Sequence, residues 1–287
     1  MHELLRARDA RDEALVEILP GAWLARAYST QAPAPAVYRP ALGAVLQGSK
    51  RVLVGDSVLD YREGEALLTQ LPVPARGMVI AADRHTPFLG LVVELEPAVI
   101  REVLGAMGEV TAGPLPAPAP FSVAPLHATV LACLQRVVTL ASDSTSAQRI
   151  LWPALQRELV FRLLQGPIGP ALRSMARPPP IARKMERAIR SVQRGFRQPL
   201  DTATLAGSAG MSPTLFYRNF RDATGLSPLQ YQKQLRLLEA RRLLQRGGSS
   251  IAATAYAVGY ESPSQFSREF GRLFGHPPRQ SLPGTVR

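Results

Sequence analysis

The first hundred residues alternate short apolar runs with polar turns. The runs lie in the segments GAVLQGSKRVLVG, SVLDY, EALLTQLPVP, MVIAA and FLGLVVELE, between Gly, Pro and Asp residues. Runs of about four to eight apolar residues between such turn signals are typical of β-strands. The pattern therefore predicts a β-rich domain of consecutive strands, either a sandwich or a barrel.

A Pro- and Ala-rich stretch at 113–125 ends this region, and helical spacing follows it. The apolar residues of LHATVLACLQRVVTLA recur every three or four positions, at Leu126, Val130, Leu131, Leu134, Val137 and Val138. This spacing predicts a helix, and a further helix is predicted from about Trp152 to Leu164. These helices would join two domains or pair two protomers, although such a stripe is more often core than a dimer seam.

A second break, PPPI at 178–181, divides the remaining chain. We therefore predict three parts. They are a β-rich domain at 1–118, a helical connector and candidate homodimerisation segment at 119–177, and a third domain at 178–287.

One phrase occurs twice in the last part, as SPTLFYRNF at 212–220 and SPSQFSREF at 262–270. Each copy opens with Ser-Pro, a favoured helix N-cap followed by a favoured first helical residue. At about 100° per residue, the two Phe residues of each copy share one face. That face is predicted to be core, which leaves hydroxyl and guanidinium groups outward, where they can contact base edges and phosphates.

Each phrase follows a stretch of small residues that ends in a glycine turn, LAGSAGMS at 205–212 and IAATAYAVGYES at 251–262. This arrangement predicts a helix-turn-helix unit, present twice. Between the units, 228–247 predicts a helix of about 19 residues, roughly 28 Å long. Such a helix would hold two recognition helices about one turn of B-DNA apart, near 34 Å.

The charge distribution agrees with a nucleic-acid partner. Residues 1–177 hold 17 Lys and Arg against 16 Asp and Glu, whereas residues 178–287 hold 17 against 6. Almost all of the net charge of +12 therefore belongs to the last part. A basic domain beside a neutral one favours a polyanionic partner. The alternative is a solvated arginine-rich surface, which the asymmetry disfavours.

Residues 181–283 resemble the DNA-binding region of the AraC/XylS family of bacterial transcription regulators. The resemblance is carried by LAGSAGMSPTLFYRNFRDATGLSPLQYQKQLRLLEARRLL and IAATAYAVGYESPSQFSREFGRLFGHPP. It implies a sequence-specific binder of double-stranded promoter DNA, usually an activator that recruits RNA polymerase. By position it assigns DNA contacts to Thr214, Tyr217, Arg218, Ser264, Gln265, Ser267 and Arg268. Arg221 and Arg272 are predicted to contact phosphate.

The front of the chain resembles the N-terminal effector domain of one AraC-like subfamily, through VYRPALGAVLQGSKRVLVGD, YREGEALLTQLPVPARG and PFLGLVVELEP. LVFRLLQGPIGPALRSMA at 159–176 resembles the helical segment that follows that domain. The resemblance implies a cupin-like β-barrel, which can enclose a small-molecule effector. The expected fold is α+β, with an N-terminal cupin-like β-barrel, a helical connector and a C-terminal all-α double helix-turn-helix.

One arginine pair is a candidate effector site. Arg173 and Arg177 would share a helical face and could grip a phosphate. The Arg-x-x-x-Arg pair also resembles part of the pattern by which some bacterial proteins hold cyclic di-GMP. In an arginine-rich chain such a pair more often marks a solvated face.

The sequence gives little support to catalysis, a metal or a cofactor. Its four histidines, His2, His85, His127 and His276, form no cluster, and metal sites need several ligands together. The single cysteine, Cys133, lies among apolar residues and is interpreted as core. We therefore expect no catalytic or metal residue and no enzyme activity.

The chain offers no sign of export or membrane insertion. No apolar run approaches the roughly 18 residues of a membrane span, and the start lacks the features of a secretory signal. The sequence thus predicts a cytoplasmic regulator whose barrel senses a small molecule and whose double helix-turn-helix binds a promoter. The alternative is a ligand-independent DNA-binding scaffold whose barrel makes protein contacts.

Overall fold

The computed structural model describes residues 13–108 and 119–283. Ten strands are present in these ranges: β1 Glu13–Leu19, β2 Ala22–Ala27, β3 Ala34–Tyr38, β4 Ala41–Gln47, β5 Ser49–Val54, β6 Ser57–Arg62, β7 Glu65–Thr69, β8 Val73–Ala81, β9 Phe88–Glu94 and β10 Phe121–Pro125. They form a six-stranded sheet in the order β1-β2-β9-β4-β7-β10 and a four-stranded sheet in the order β3-β8-β5-β6. All pairs are antiparallel.

The α+β fold expected from the sequence is confirmed, and the β-domain is an open pair of sheets. The hydrogen-bonded ladders of the described strands do not close into one ring. Glycine supplies the tight turns that the hairpins need. Gly55 between β5 and β6 and Gly64 between β6 and β7 have φ values of 53° and 79°, a region that residues with a Cβ seldom adopt. His2 and the first part of the Pro- and Ala-rich stretch, through residue 118, lie outside the described residues.

Ten α-helices lie in the described ranges: α1 Pro97–Ala106, α2 Ala128–Leu140, α3 Thr145–Leu164, α4 Gly169–Ala176, α5 Pro180–Gly195, α6 Thr202–Ser208, α7 Pro213–Thr224, α8 Pro228–Arg246, α9 Ile251–Ala257 and α10 Pro263–Phe274. A 3₁₀ turn follows at Pro278–Ser281. The sequence placed the start of α3 near Trp152. The helix begins earlier, because the Ser144 hydroxyl accepts a hydrogen bond from the Ala147 amide, and it continues through Pro153.

The large sheet and the connector helices enclose the first core. The apolar stripe of α2 packs inside it, with Val130, Leu134 and Val137 buried, so the interpretation of that stripe as core is confirmed. The Trp152 indole donates a 2.9 Å hydrogen bond to the Pro20 carbonyl and so ties α3 to the β1–β2 turn. A buried indole N–H needs such a partner.

The remaining buried apolar side chains form two further cores, of which one extends across two domains and the other does not. One is continuous from the small sheet, at Val52 and Val54, to the first helix-turn-helix unit, at Phe216 and Phe220. The other contains only residues of α8, of the second unit and of the segments beside it. The first helix-turn-helix unit is therefore packed against the β-domain, whereas the second has a core of its own.

Candidate nucleic-acid interface

The two repeated phrases form α7 and α10, which begin and end in the same way. The hydroxyl of Ser212 accepts a hydrogen bond from the Leu215 amide, and that of Ser262 accepts one from the Gln265 amide. A proline occupies the first helical position of each helix. Each helix ends at a left-handed glycine, Gly225 or Gly275 in the two copies, as helix C-termini often do.

The turns before these helices also match. The Met211 amide donates to the Ala206 carbonyl at 3.0 Å, and the Tyr260 amide donates to the Ala255 carbonyl at 3.0 Å. Glycine with positive φ makes both turns, although the second turn is one residue longer because it contains Glu261. The chain therefore contains two helix-turn-helix units whose turns are closed by equivalent backbone hydrogen bonds.

The faces of the two helices are those that their spacing predicts. Phe216, Phe220, Phe266 and Phe270 are fully buried. The residues assigned to DNA lie on the other side. Exposed are Thr214, Tyr217, Arg218, Arg221, Ser264, Gln265, Arg268 and Arg272, while Ser267 is half-buried. The structure thus makes these side chains accessible, and their contact with DNA stays a prediction.

Glu269, on the inner flank of α10, was not anticipated from the sequence. Its carboxylate accepts hydrogen bonds from the Lys233 ammonium at 2.7 Å, the Tyr260 hydroxyl at 2.7 Å and the Gln265 amide at 3.2 Å. Burial alone would raise the Glu269 pKa, but these three hydrogen bonds outweigh it and hold the pKa below its ordinary value. Glu269 therefore anchors the second recognition helix to α8 as a carboxylate.

A second anchor missed in the sequence is Arg236, near the middle of α8. Its guanidinium donates to four backbone carbonyls: Phe196 at 2.6 Å, Gly259 at 2.7 Å, Gln198 at 2.9 Å and Arg197 at 3.2 Å. The side chain thereby links the end of α5, which belongs to the first unit, to the turn of the second unit. In the sequence Arg236 is one of many arginines, and only the fold brings these carbonyls to it.

The helix predicted between the units is present as α8, with 19 residues. A capping box fixes its start, because Ser227 and Gln230 each bond the backbone of the other. Its length, roughly 28 Å at 1.5 Å per residue, makes it a rigid connection between the recognition helices.

The β-domain touches the first recognition helix at its C-terminal end. The Arg221 guanidinium donates a 2.8 Å hydrogen bond to the Asp56 carboxylate in the β5–β6 turn. Next to this pair the backbones of Gly55 and Gly225 are so close that a Cβ on Gly55 would lie 2.1 Å from the Gly225 carbonyl oxygen. A residue predicted to contact DNA thus already has a partner within the chain.

Two further hydrogen bonds join α8 to the β-domain. The Tyr231 hydroxyl donates to the Pro72 carbonyl at 2.7 Å and lies 3.1 Å from the Gln193 amide nitrogen, which donates to it. The Arg241 guanidinium donates to the Pro35 carbonyl at 3.2 Å. The docking of the first unit is therefore polar as well as apolar.

The arginine pair proposed for phosphate binding does not share a helix. Helix α4 ends at Ala176, and Arg177 follows with φ −133° and ψ 70°, outside helical geometry. Arg173 is half-buried, and its guanidinium donates to the Leu164 carbonyl at 3.0 Å, at the end of α3. The common face on which the sequence interpretation depended is absent, and Arg173 has a structural role.

Lys50 is a charged residue inside the β-domain that the sequence interpretation passed over. On β5 it shares a face with Val52 and Val54, both buried in the core. Its ammonium lies 5.9 Å from the centre of the Tyr38 ring, and it is paired across the sheet with Tyr61. Burial lowers the pKa of Lys50. The alternation of positions along β5, which puts Lys50 on the same face as Val52 and Val54, could have identified this residue from the sequence.

The residues considered for catalysis are dispersed. Cys133 is buried, and burial raises its pKa to about 11. His85 lies in the β8–β9 turn, His127 precedes α2, and His276 packs against Phe270. Within the described ranges, no group of three or more His, Cys, Asp or Glu residues could hold a metal ion. No helix in that part of the chain is long and apolar enough to cross a membrane.

Comparison with protein families identifies both halves of the chain. The family described as AraC-type transcriptional regulator N-terminus matches residues 18–171, more than half of the chain. A helix-turn-helix domain family matches residues 205–282. The chain belongs to the AraC-type transcriptional regulators. Both matches confirm the resemblance to this family that the sequence motifs indicated.

Relatives of known name match a limited part of this AraC-type regulator. The transcriptional regulator GlxA of Rhizobium meliloti (strain 1021) is 42% identical over 107 residues, which are 37% of this chain and 29% of GlxA. The transcriptional activator RhaS of Pectobacterium carotovorum subsp. carotovorum (strain PC1) is 32% identical over 88 residues, which are 31% of this chain and 32% of RhaS. The chain thus spans about a third or less of the length of these relatives.

The fold as a whole is similar to that of ToxT from Vibrio cholerae. One ToxT structure covers 92% of this chain and 98% of ToxT, with 13% identity and a TM-score of 0.57. A structure of ToxT with an unsaturated fatty acid bound covers 93% and 96%, with 12% identity and a TM-score of 0.60. At this identity the likeness concerns the fold alone, over both domains.

Proposed function

We propose that this AraC-type chain binds promoter DNA by inserting α7 and α10 into successive major grooves. The observation that carries the proposal is the duplicated helix with matching caps, buried faces and outward arginines, Arg218 and Arg268. The rigid α8 between the two copies fits recognition helices about one helical turn apart. Two helices are needed because each good base contact discriminates by only about 1–3 kcal/mol.

We extend the proposal to activation in response to an effector. RhaS is named a transcriptional activator, which supports recruitment of RNA polymerase by this chain. ToxT has been solved with a fatty acid bound, which supports a ligand-responsive β-domain in the same fold. An effector can change promoter binding only through different affinities for two arrangements of the domains. The docking of the first unit on the β-domain supplies one of these arrangements.

Selection of bound fragments from random DNA by the purified chain tests DNA recognition. We expect a motif of two short blocks whose centres are about 10 base pairs apart. Arg218→Ala and Arg268→Ala should each remove the preference for one block and weaken binding roughly tenfold to a hundredfold, the value of one bidentate base contact. Arg84→Ala, which removes an exposed arginine from the β-domain, is the charge-matched control.

A different pattern would overturn the proposal. If binding has no motif and a steep salt dependence, the basic half is a general polyanion binder. If the Arg218 and Arg268 variants keep the affinity of the control, the assigned faces do not contact DNA.

A further inference from the structure

A cavity of about 440 Å³ lies where the β-domain, the connector and α5 meet. Its lining includes Gln70, Arg101, Met175, Ile189, Arg190 and Gln193. Small-molecule sites usually have about 300–1,000 Å³ and combine apolar walls with a few polar groups. The cavity has that size and that mixture, and it joins the two halves of the regulator.

One polar side chain of the cavity wall, that of Gln70, lies close to the core. Gln70 is only 8% exposed, and its side-chain amide makes no hydrogen bond with a described residue. The Gln70 amide is not one of the fully buried, unpaired polar groups of the described residues, so a ligand or water can reach it from the cavity. Gln70 is therefore a polar group set into the wall before any ligand arrives.

Positive charge exceeds negative charge in the cavity. Arg101, at the exposed surface of α1, has no ion pair with the described part of the chain. Arg190 lies 3.5 Å from Glu186, the longer end of the ion-pair range, and its side chain is 57% exposed. Two arginines and one glutamate, Glu186, thus line the cavity. Guanidinium is the side-chain group best suited to hold a carboxylate or phosphate through paired hydrogen bonds.

The opposite walls are apolar and stiff. Pro40, Pro72, Pro97 and Pro178 line the cavity together with Leu71. Proline fixes its own backbone φ, so these walls lose little freedom when a ligand binds. A ligand that matches the site has an apolar body as well as a charged head.

We infer that this cavity binds a small organic anion, with a carboxylate or phosphate head held between Arg101 and Arg190 and an apolar body against the proline wall. The inference rests on the proposed function, because it gives the effector a site. Arg101 belongs to the β-domain and Arg190 to the DNA-binding domain, so the anion bridges the two domains. Gln193 also bonds Tyr231, which bonds Pro72. Occupancy thus favours the docked arrangement of the first helix-turn-helix unit.

Isothermal titration of the full-length chain tests the site with phenylbutyrate, phenyl phosphate and uncharged phenylbutanol as probes. We expect at least one anion to bind and the alcohol not to bind, and the preferred anion distinguishes a carboxylate from a phosphate ligand. Arg101→Gln and Arg190→Gln should each weaken binding roughly tenfold or more, the usual value of a hydrogen bond to a charged group. Arg194→Gln, on the same helix but outside the cavity, should bind as the wild type does.

Three outcomes would overturn the inference. In the first, neither anion binds at millimolar concentration. In the second, Arg194→Gln weakens anion binding as much as Arg190→Gln does. In the third, Lys50→Gln abolishes anion binding and the two arginine variants do not. The last result would place the anion between the sheets. DNA binding by the same samples separates this inference from the proposed function: wild-type chain that binds its DNA motif but no probe rejects only the cavity.

Discussion

Arg221, on the first recognition helix, donates a 2.8 Å hydrogen bond to Asp56 in the β5–β6 turn. We predict that Arg221 contacts a DNA phosphate, so the phosphate and the Asp56 carboxylate compete for one guanidinium. Both side chains are well exposed, at 65% and 89%, and water screens the pair. The contact can therefore bias DNA binding, but it is too weak to block it.

Removing the competitor should strengthen DNA binding slightly. We expect Asp56→Asn to raise the affinity for promoter DNA about fivefold or less, because exposed ion pairs contribute about 0–1 kcal/mol. Fluorescence anisotropy at low salt measures the change. Asp60→Asn is the matched control, since Asp60 lies in the same hairpin but pairs with Arg51. Equal effects of the two substitutions would show that only net charge matters.

Because Gly55 lies so close to Gly225, a side chain at position 55 should loosen the contact between the β-domain and the first helix-turn-helix unit. Gly55→Ala places a methyl 2.1 Å from the Gly225 carbonyl oxygen, whereas Gly64→Ala meets no atom within 4 Å. Both substitutions put alanine at a positive φ, which costs roughly 1–2 kcal/mol. Only Gly55→Ala should also speed amide hydrogen exchange at the end of α7 and the start of α8. Equal exchange in the two variants would mean that this contact does not hold the domains together.

Arg236 should matter more for stability than any surface arginine of α8. Arg236→Met removes the donor of four carbonyl hydrogen bonds, of which those to Phe196 and Gly259 are partly buried. We expect a loss of about 2–4 kcal/mol in the free energy of unfolding, measured in urea. Arg242→Met, which breaks an exposed pair with Glu239, should cost less than about 1 kcal/mol. Similar losses would contradict the role of Arg236 as the link between the units.

The features that the sequence predicted well depend on local spacing. Ser-Pro, two Phe residues and a C-terminal glycine determine where α7 and α10 begin, which side they bury and where they end. All of these signals lie within about 13 residues of each other, and helix geometry connects them directly. The second unit repeats the pattern independently, which is why both helices and their faces could be assigned from the chain alone.

The missed features depend on residues far apart in the chain. Asp56 and Arg221 are 165 positions apart, and Arg236 meets carbonyls about 40 positions before it. Hydropathy patterns and charge counts cannot predict such pairings, because the pairings form only when complete helices and strands pack together. For the same reason, the spacing of Arg173 and Arg177 could not show that α4 ends between them.

Glu269 predicts acid sensitivity of the second unit. Its pKa is lowered in the folded chain, so its contribution to stability is present above the unfolded pKa and is lost as pH falls through the folded value. With an ordinary glutamate pKa near 4.3, we expect the loss below about pH 4. Glu269→Gln should lower stability at neutral pH and flatten this dependence in urea unfolding curves. Glu261→Gln, at an exposed residue of the neighbouring turn, should leave the curve unchanged.

Cys133 should behave as a core residue and not as a nucleophile. Burial, and then the nearby Glu158 carboxylate, raise the pKa of the thiol to about 11, so almost none is thiolate at neutral pH. Its sulfur lies 3.9 Å from the Leu155 carbonyl, inside the first core. We expect the native chain to react with Ellman's reagent far more slowly than the urea-unfolded chain. Because this is the only cysteine in the sequence, the colour change reports it alone. Rapid labelling of the native chain would show an accessible, activated thiol and would return a cysteine-based reaction to consideration.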